Sequence, residues 1–205
     1  MRWDWHEIRR TLTSRDAQRV TEVVRSRAAV ALVFRDETTG GGDEGPELLF
    51  IRRSDHPLDP WSGQMAFPGG RHEPRDASLL ETAIRETSEE VGLDLVGDAE
   101  LLSPLDEVRA MARLRPVNLV IAPFAFRLVR PAVASAVNEV RSVHWLKVRQ
   151  LCNPESRSVH DYVHEGMKLQ FPCLRLDDIV IWGLTFRMFD SVTERLQPFI
   201  VAGAE

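Results

Sequence analysis

Apolar positions along the chain fall into short runs and helical stripes that alternate. Ala28 to Phe34 is a continuous β-rich run, the pattern of a strand buried on both faces, and Glu47 to Ile51 is a second one. The glycine-rich stretch 38–46 between them reads as a flexible hairpin loop. Residues 4–26 place Trp5, Ile8, Leu12, Val20, Val23 and Val24 mostly at helical spacing, which predicts a helical N-terminal arm, 1–27, packed on a main domain, 28–205. Between Asp55 and Gly70 the prolines and glycines allow only a brief strand, at Gln64 to Phe67.

From Asp76 or Ser78 to Val91 the periodicity predicts a helix whose stripe is Leu79, Leu80, Ala83, Ile84, Thr87 and Val91, stopped by Gly92. Glu100 to Ser103, Val117 to Val129 (broken at Pro123) and Val143 to Leu146 read as further strands. Met167 to Leu176 and Ile179 to Trp182 are late extended segments, and Leu184 to Leu196 is a closing helix. Interleaved strands and helices make the fold class α/β (α+β).

The 205 residues carry 26 basic and 31 acidic side chains, a net charge of −5, which speaks against nucleic-acid binding driven by bulk charge. No run is apolar enough to span a membrane and no secretory leader is visible. The two cysteines, Cys152 and Cys173, form no disulfide framework, and His56, His72 and His144 lack zinc spacing. Together these features predict a cytoplasmic protein, with a homodimer left open.

Glu86, Glu89 and Glu90 stand at i, i+3 and i+4, on one face of the predicted helix. Like charges at this spacing repel, and the C-terminal end of the helix dipole adds to the cost. Divalent cations offset both, and Mg²⁺ or Mn²⁺ prefers such hard oxygen donors. Gly69 and Gly70 precede the helix at a turn where the backbone can approach a ligand closely. Arg85 is placed to pin a carboxylate.

The run Gly70-x5-Asp76-x8-Arg85-Glu86-Thr87-Ser88-Glu89-Glu90-Val91-Gly92-Leu93 resembles the Nudix box, Gly-x5-Glu-x7-Arg-Glu-U-x-Glu-Glu-x-Gly-U. It differs in having Asp76 for glutamate, a spacer one residue longer, and Thr87 at an apolar position. The resemblance implies an α/β/α sandwich around a mixed sheet, and hydrolysis of a nucleoside diphosphate linked to another group. It also implies Mg²⁺ or Mn²⁺ held by Glu86, Glu89, Glu90 and the Gly70 carbonyl, with Arg85 orienting the glutamates. Glu89, Glu90 and Arg85 are thus the expected catalytic group. Glu139, ahead of a strand, reads equally as a distal base or as a loop carboxylate.

Ser62 to Gly70, Leu48-Leu49 with Arg52-Arg53-Ser54, and Ile181 to Thr185 resemble the coenzyme A pyrophosphatase branch, although Asp59 stands where that branch carries an arginine. The implied partner is a small nucleotide substrate. Coenzyme A cleaved to 4′-phosphopantetheine and adenosine 3′,5′-bisphosphate is the leading expectation. ADP-ribose, a dinucleotide or a nucleoside triphosphate is the alternative substrate, and a catalytically silent binding module the alternative class. Arg52 and Arg53 are candidate phosphate readers or exposed strand-end arginines, and Trp61 is a stacking platform or a core plug.

Overall fold

The computed structural model describes residues 3–36, 45–57, 59, 61–112, 115–164 and 166–201. The predicted 38–46 loop therefore lies, up to residue 44, outside the described residues. Strand β1 (Ser26–Arg35) lies at the centre of an eight-stranded mixed sheet. It runs parallel to β7 (Arg115–Leu128) and antiparallel to β2 (Glu47–Arg53) and the short β4 (Gly69–Arg71). Beyond β2 lie β3 (Met65–Ala66) and β8 (Val140–Lys147). Beyond β7 lie β5 (Ala99–Pro104) and β6 (Val108–Ala112).

A second, antiparallel sheet joins β9 (Arg157–His164), β10 (Met167–Leu176) and β11 (Ile179–Trp182). The helices are α1 (Trp5–Leu12), α2 (Leu79–Val91), the short α3 (Val148–Cys152) and α4 (Gly183–Val201). Among the described residues no helix is long and apolar enough to cross a membrane.

The β1 run is continuous rather than alternating because both of its faces are covered. Ala29, Ala31 and Val33 face the α2 layer with Leu49, Ile51, Ala83 and Val91. Ala28, Val30, Leu32 and Phe34 face the opposite layer, formed by Trp5, Ile8 and Leu12 of α1 and by Phe186, Phe189 and Val192 of α4. This is the expected α/β/α sandwich.

Two expectations need correction. The N-terminal helix ends at Leu12, and the chain beyond it is irregular, with Val23 97% exposed. Side-chain bonds hold this segment in place of a helix: Arg15 and the Gln18 amide donate to Asp106, and the Val20 amide donates to Glu107. Arg195 of α4 also donates to Asp106, at 2.7 Å, and to the Leu12 carbonyl, so one carboxylate ties both chain ends together.

Pro123, moreover, does not break β7, which pairs with β1 straight through it. On its other edge β7 has β6 as partner up to Ile121 and β5 from Phe124 onward. The missing proline N–H therefore falls in the gap between two partners, where it costs no ladder bond. The Pro123 carbonyl there accepts from Leu105.

Leu12 is fully buried between α1, the sheet and α4. Leu12→Ala is expected to lower stability by roughly 3 kcal/mol, the cost of lost burial plus an unfilled cavity. Urea unfolding reads this directly, and a loss below about 1 kcal/mol would show that α1 is not part of the cooperative core.

Candidate active site

Helix α2 starts at Ser78, whose hydroxyl accepts the Glu81 amide, and ends at Gly92 in the left-handed region. The burial of α2 differs from the predicted stripe. Thr82, Ala83, Thr87, Glu90 and Val91 are buried, whereas Leu79, Leu80 and Ile84 are only partly so. The helix is thus rotated so that part of its charged face lies against β4.

Gly69 and Gly70 are the contact points. Gly69 has φ +149°, and a Cβ there would lie 2.2 Å from the Ala29 carbonyl oxygen. A Cβ on Gly70 would lie 2.4 Å from the Glu86 carboxyl carbon. The two glycines form a strand, β4, rather than the exit turn expected, since only residues without side chains fit between β1 and the helix carboxylates.

Glu90 is 8% exposed, and its carboxylate accepts the Gly69 amide at 2.8 Å. Burial pushes its pKa up to about 7, with the Glu86 and Glu139 charges adding to the rise and the Gly69 bond and Arg53 opposing it. Burial likewise raises Glu86, against the pull of Arg85. Glu89 is more open, with its side chain 46% exposed, and accepts from Arg85 at 3.0 Å and from Arg75 at 3.1 Å.

Arg85 organises the cluster. Its Nε and Nη2 donate to the two Asp76 oxygens at 2.8 and 3.0 Å, its Nη1 to Glu86 at 2.8 Å and to Glu89, and its Nη2 also to the Arg71 carbonyl. Asp76 further accepts the Thr82 hydroxyl at 2.9 Å and the Glu73 amide at 3.0 Å, and His72 Nδ1 is 2.9 Å from the same hydroxyl. The shorter acid and longer spacer thus still brace the helix start. Arg85 holds Asp76 well below the usual carboxylate range.

Glu139 immediately precedes β8, and its carbonyl accepts the Ser54 amide. The segment before it is strapped to the end of α2 by Val137 N–H to the Glu90 carbonyl and Ser135 N–H to that of Val91. Its charge adds to the rise in the Glu90 pKa.

The paired arginines do not act together. Arg52 reaches the Asp178 carbonyl at the β10–β11 turn, while Arg53 ion-pairs with Asp59 at 2.8 Å. Successive strand residues point to opposite faces, and a register shift against β8 falls between these two. Trp61 is half-buried against the core and lines a cavity of about 310 Å³, so it plugs and lines at once. That cavity runs from Gly69 and Gly70 between Ala28, Val30, Phe67 and Ile121 to Leu184 and Met188 of α4.

Thr82, His72 and Arg75 are site residues that the sequence reading does not single out. Helical spacing alone would have revealed Thr82, three residues before Arg85 and four before Glu86. The others depend on loop geometry.

Among the described residues no three acidic, histidine or cysteine side chains converge as a ready coordination sphere. Arg85 and Arg75 occupy Glu86 and Glu89 instead. The donor set nonetheless fits a hard divalent cation. Three glutamates share a helix face, two of them desolvated, beside a glycine that leaves room only for bare backbone. Gly70→Ala is expected to cut turnover at least tenfold by displacing Glu86, and unchanged kcat would show that this close approach is incidental.

Comparison with known proteins places the chain in a family. The sequence profile described as the NUDIX domain matches residues 24–165. An uncharacterised protein of Schizosaccharomyces pombe is 33% identical over 146 residues, covering 65% of this chain and 44% of that protein. The uncharacterised Nudix hydrolase NudL of Yersinia enterocolitica is 44% identical over 73 residues, covering 36% of this chain and 32% of that protein. The chain thus spans less than half the length of these two relatives. The mouse mitochondrial coenzyme A diphosphatase NUDT8 is 28% identical over 183 residues, covering 88% of this chain and 84% of that protein.

In fold, a MutT/nudix family protein from Enterococcus faecalis matches with TM-score 0.55 at 16% identity, over 96% of this chain and 76% of that one. The NUDIX domain of Shewanella oneidensis NrtR, solved with ADP ribose, matches with TM-score 0.54 at 17% identity, over 90% and 92%.

Proposed function

The chain belongs to the Nudix family, and from that premise we propose that it hydrolyses a nucleoside diphosphate linked to a further group, with coenzyme A and its derivatives as the leading substrates. The observation that carries this reading is the acidic cluster of Glu86, Glu89 and Glu90, packed against Gly69 and Gly70, which also line one end of the cavity. A binding module has no use for three mutually repelling carboxylates, two of them desolvated.

In this reading Glu86, Glu89, Glu90 and the Gly70 carbonyl hold Mg²⁺ or Mn²⁺. When bound, such an ion neutralises charge on the diphosphate and lowers the pKa of a coordinated water. The chain's own residues set the stage. Arg85 fixes the carboxylates by tying them to Asp76, and Gly69 N–H holds the Glu90 carboxylate in one orientation. Glu139 is the candidate acceptor of the water proton, its charge acting on Glu90 from outside the helix. Trp61 and Arg53, at the cavity wall, contact the substrate beyond the diphosphate.

Coenzyme A is preferred because the mouse relative, matched along most of both chains, is named for that activity, and because most of the cavity wall is apolar. The free cysteines Cys152 and Cys173 fit the cytoplasm proposed for this protein. The test is a panel of diphosphates incubated with Mg²⁺ and with Mn²⁺, with products identified by mass. Coenzyme A is expected to give 4′-phosphopantetheine and adenosine 3′,5′-bisphosphate. Faster cleavage of ADP-ribose or a dinucleotide would move the substrate while keeping the chemistry, and no cleavage of any diphosphate would leave a binding module.

A further inference from the structure

The cavity that opens at Gly69 and Gly70 is walled mostly by apolar side chains, with Gln64 and Thr185 among them, and its charged lining is Arg71 together with one ion pair, Arg53 with Asp59. Arg53 Nε and Nη2 both lie 2.8 Å from Asp59 Oδ2. Both side chains are largely covered, at 26% and 16% exposure. The other Asp59 oxygen accepts the Trp61 amide at 3.0 Å. The Asp59 backbone is fixed as well, its N–H donating to the His56 carbonyl and its carbonyl accepting the Ser62 amide. The loop is closed at its ends by the Arg53 amide on the Gln64 carbonyl and the His56 amide on the Ser62 hydroxyl. Asp59 is therefore held before any ligand arrives.

An arginine at the rim of a nucleotide site ordinarily reads phosphate. Here Asp59 already compensates it, and a phosphate approaching Arg53 meets the Asp59 charge at close range, in a setting where water screens poorly. We propose that Asp59 is a specificity-determining residue: by clamping Arg53 it withholds that arginine from phosphate, so that the cavity edge at Arg53 receives an uncharged portion of the substrate. This rests on the Nudix reading for what the substrate is, but not for the clamp itself.

The test is binding of inorganic phosphate in chelator, by calorimetry, to the wild-type chain and three variants. Asp59→Asn keeps the shape and removes the charge, and is expected to bind phosphate at least tenfold more tightly than wild type. Adding Arg53→Gln to it should abolish the gain, and Arg53→Gln alone should leave phosphate affinity within twofold of wild type. The proposal is overturned if Asp59→Asn gains nothing, if the double variant keeps the gain, or if Arg53→Gln alone weakens binding tenfold. Should Asp59→Asn fail to give a cooperative thermal melt, Arg53→Gln alone decides: unchanged affinity supports the clamp and loss refutes it. Failure of the diphosphate panel would instead remove the Nudix chemistry and leave these titrations standing.

Discussion

Glu90→Gln and Glu89→Gln are each expected to lower kcat by roughly a hundredfold or more, the scale on which a group engaged with the reacting atoms contributes, while the protein stays folded. The two should differ in stability. Glu90 is desolvated and shares its surroundings with two other carboxylates, so the neutral amide removes repulsion and its oxygen can still accept the Gly69 amide; that variant should be as stable as wild type or slightly more so. Glu89 is half-open and bonded to two arginines, and its loss should cost little, as exposed ion pairs generally do. Steady-state kinetics with saturating Mg²⁺ or Mn²⁺ and urea unfolding separate the effects. Wild-type turnover in both variants would mean that the acidic face is not the catalytic centre.

The placement of these carboxylates was legible in the sequence because helix periodicity is rigid. Once Ser78 starts α2 and Gly92 stops it, positions 86, 89 and 90 must share a face. The strands β1 and β2 were legible for a related reason, their apolar runs being set by burial in the sandwich, and β11 by its alternating buried positions. What depends on partners distant in sequence was hidden. The segment beyond Leu12 has helical spacing, yet Asp106 and Glu107, some ninety residues on, satisfy its polar groups without a helix.

Pro123 is tolerated only because β5 and β6 divide one edge of β7. Strand β9 carries Val159 and Val163 on an exposed face, so its pattern is not that of a buried strand. Within the site, Arg52 and Arg53 read as a pair in sequence, but the pleat separates them, and Asp59 takes the one that reaches the cavity.

Arg85→Ala is expected to cause the largest loss of stability, about 3 to 5 kcal/mol, the cost of leaving a buried charge without its partner. Arg85 is 15% exposed and Asp76 only 4%, and the two-point bond between them is the main reason that Asp76 stays ionised. Without the guanidinium, the Asp76 carboxylate keeps the Thr82 hydroxyl and the Glu73 amide but loses its arginine countercharge, and Glu86 loses the cation bonded to it. Asp76→Ala in the same chain should recover part of the loss, so that the double variant is less destabilised than the sum of the singles.

The dependence on pH has a definite sign. A carboxylate whose pKa is lowered by folding contributes stability that is fully present above its unfolded value near 4 and is lost as the pH falls towards the lowered native value. Removing Arg85 removes that lowering, so the variant's stability should no longer decline through this group in acid, and the gap between wild type and variant should narrow below about pH 4. Urea unfolding at pH 7 and at pH 3 measures both. A gap that is equal at the two values would mean that Arg85 acts through packing of its stem, and strictly additive losses in the double variant would mean that Asp76 is not its principal partner.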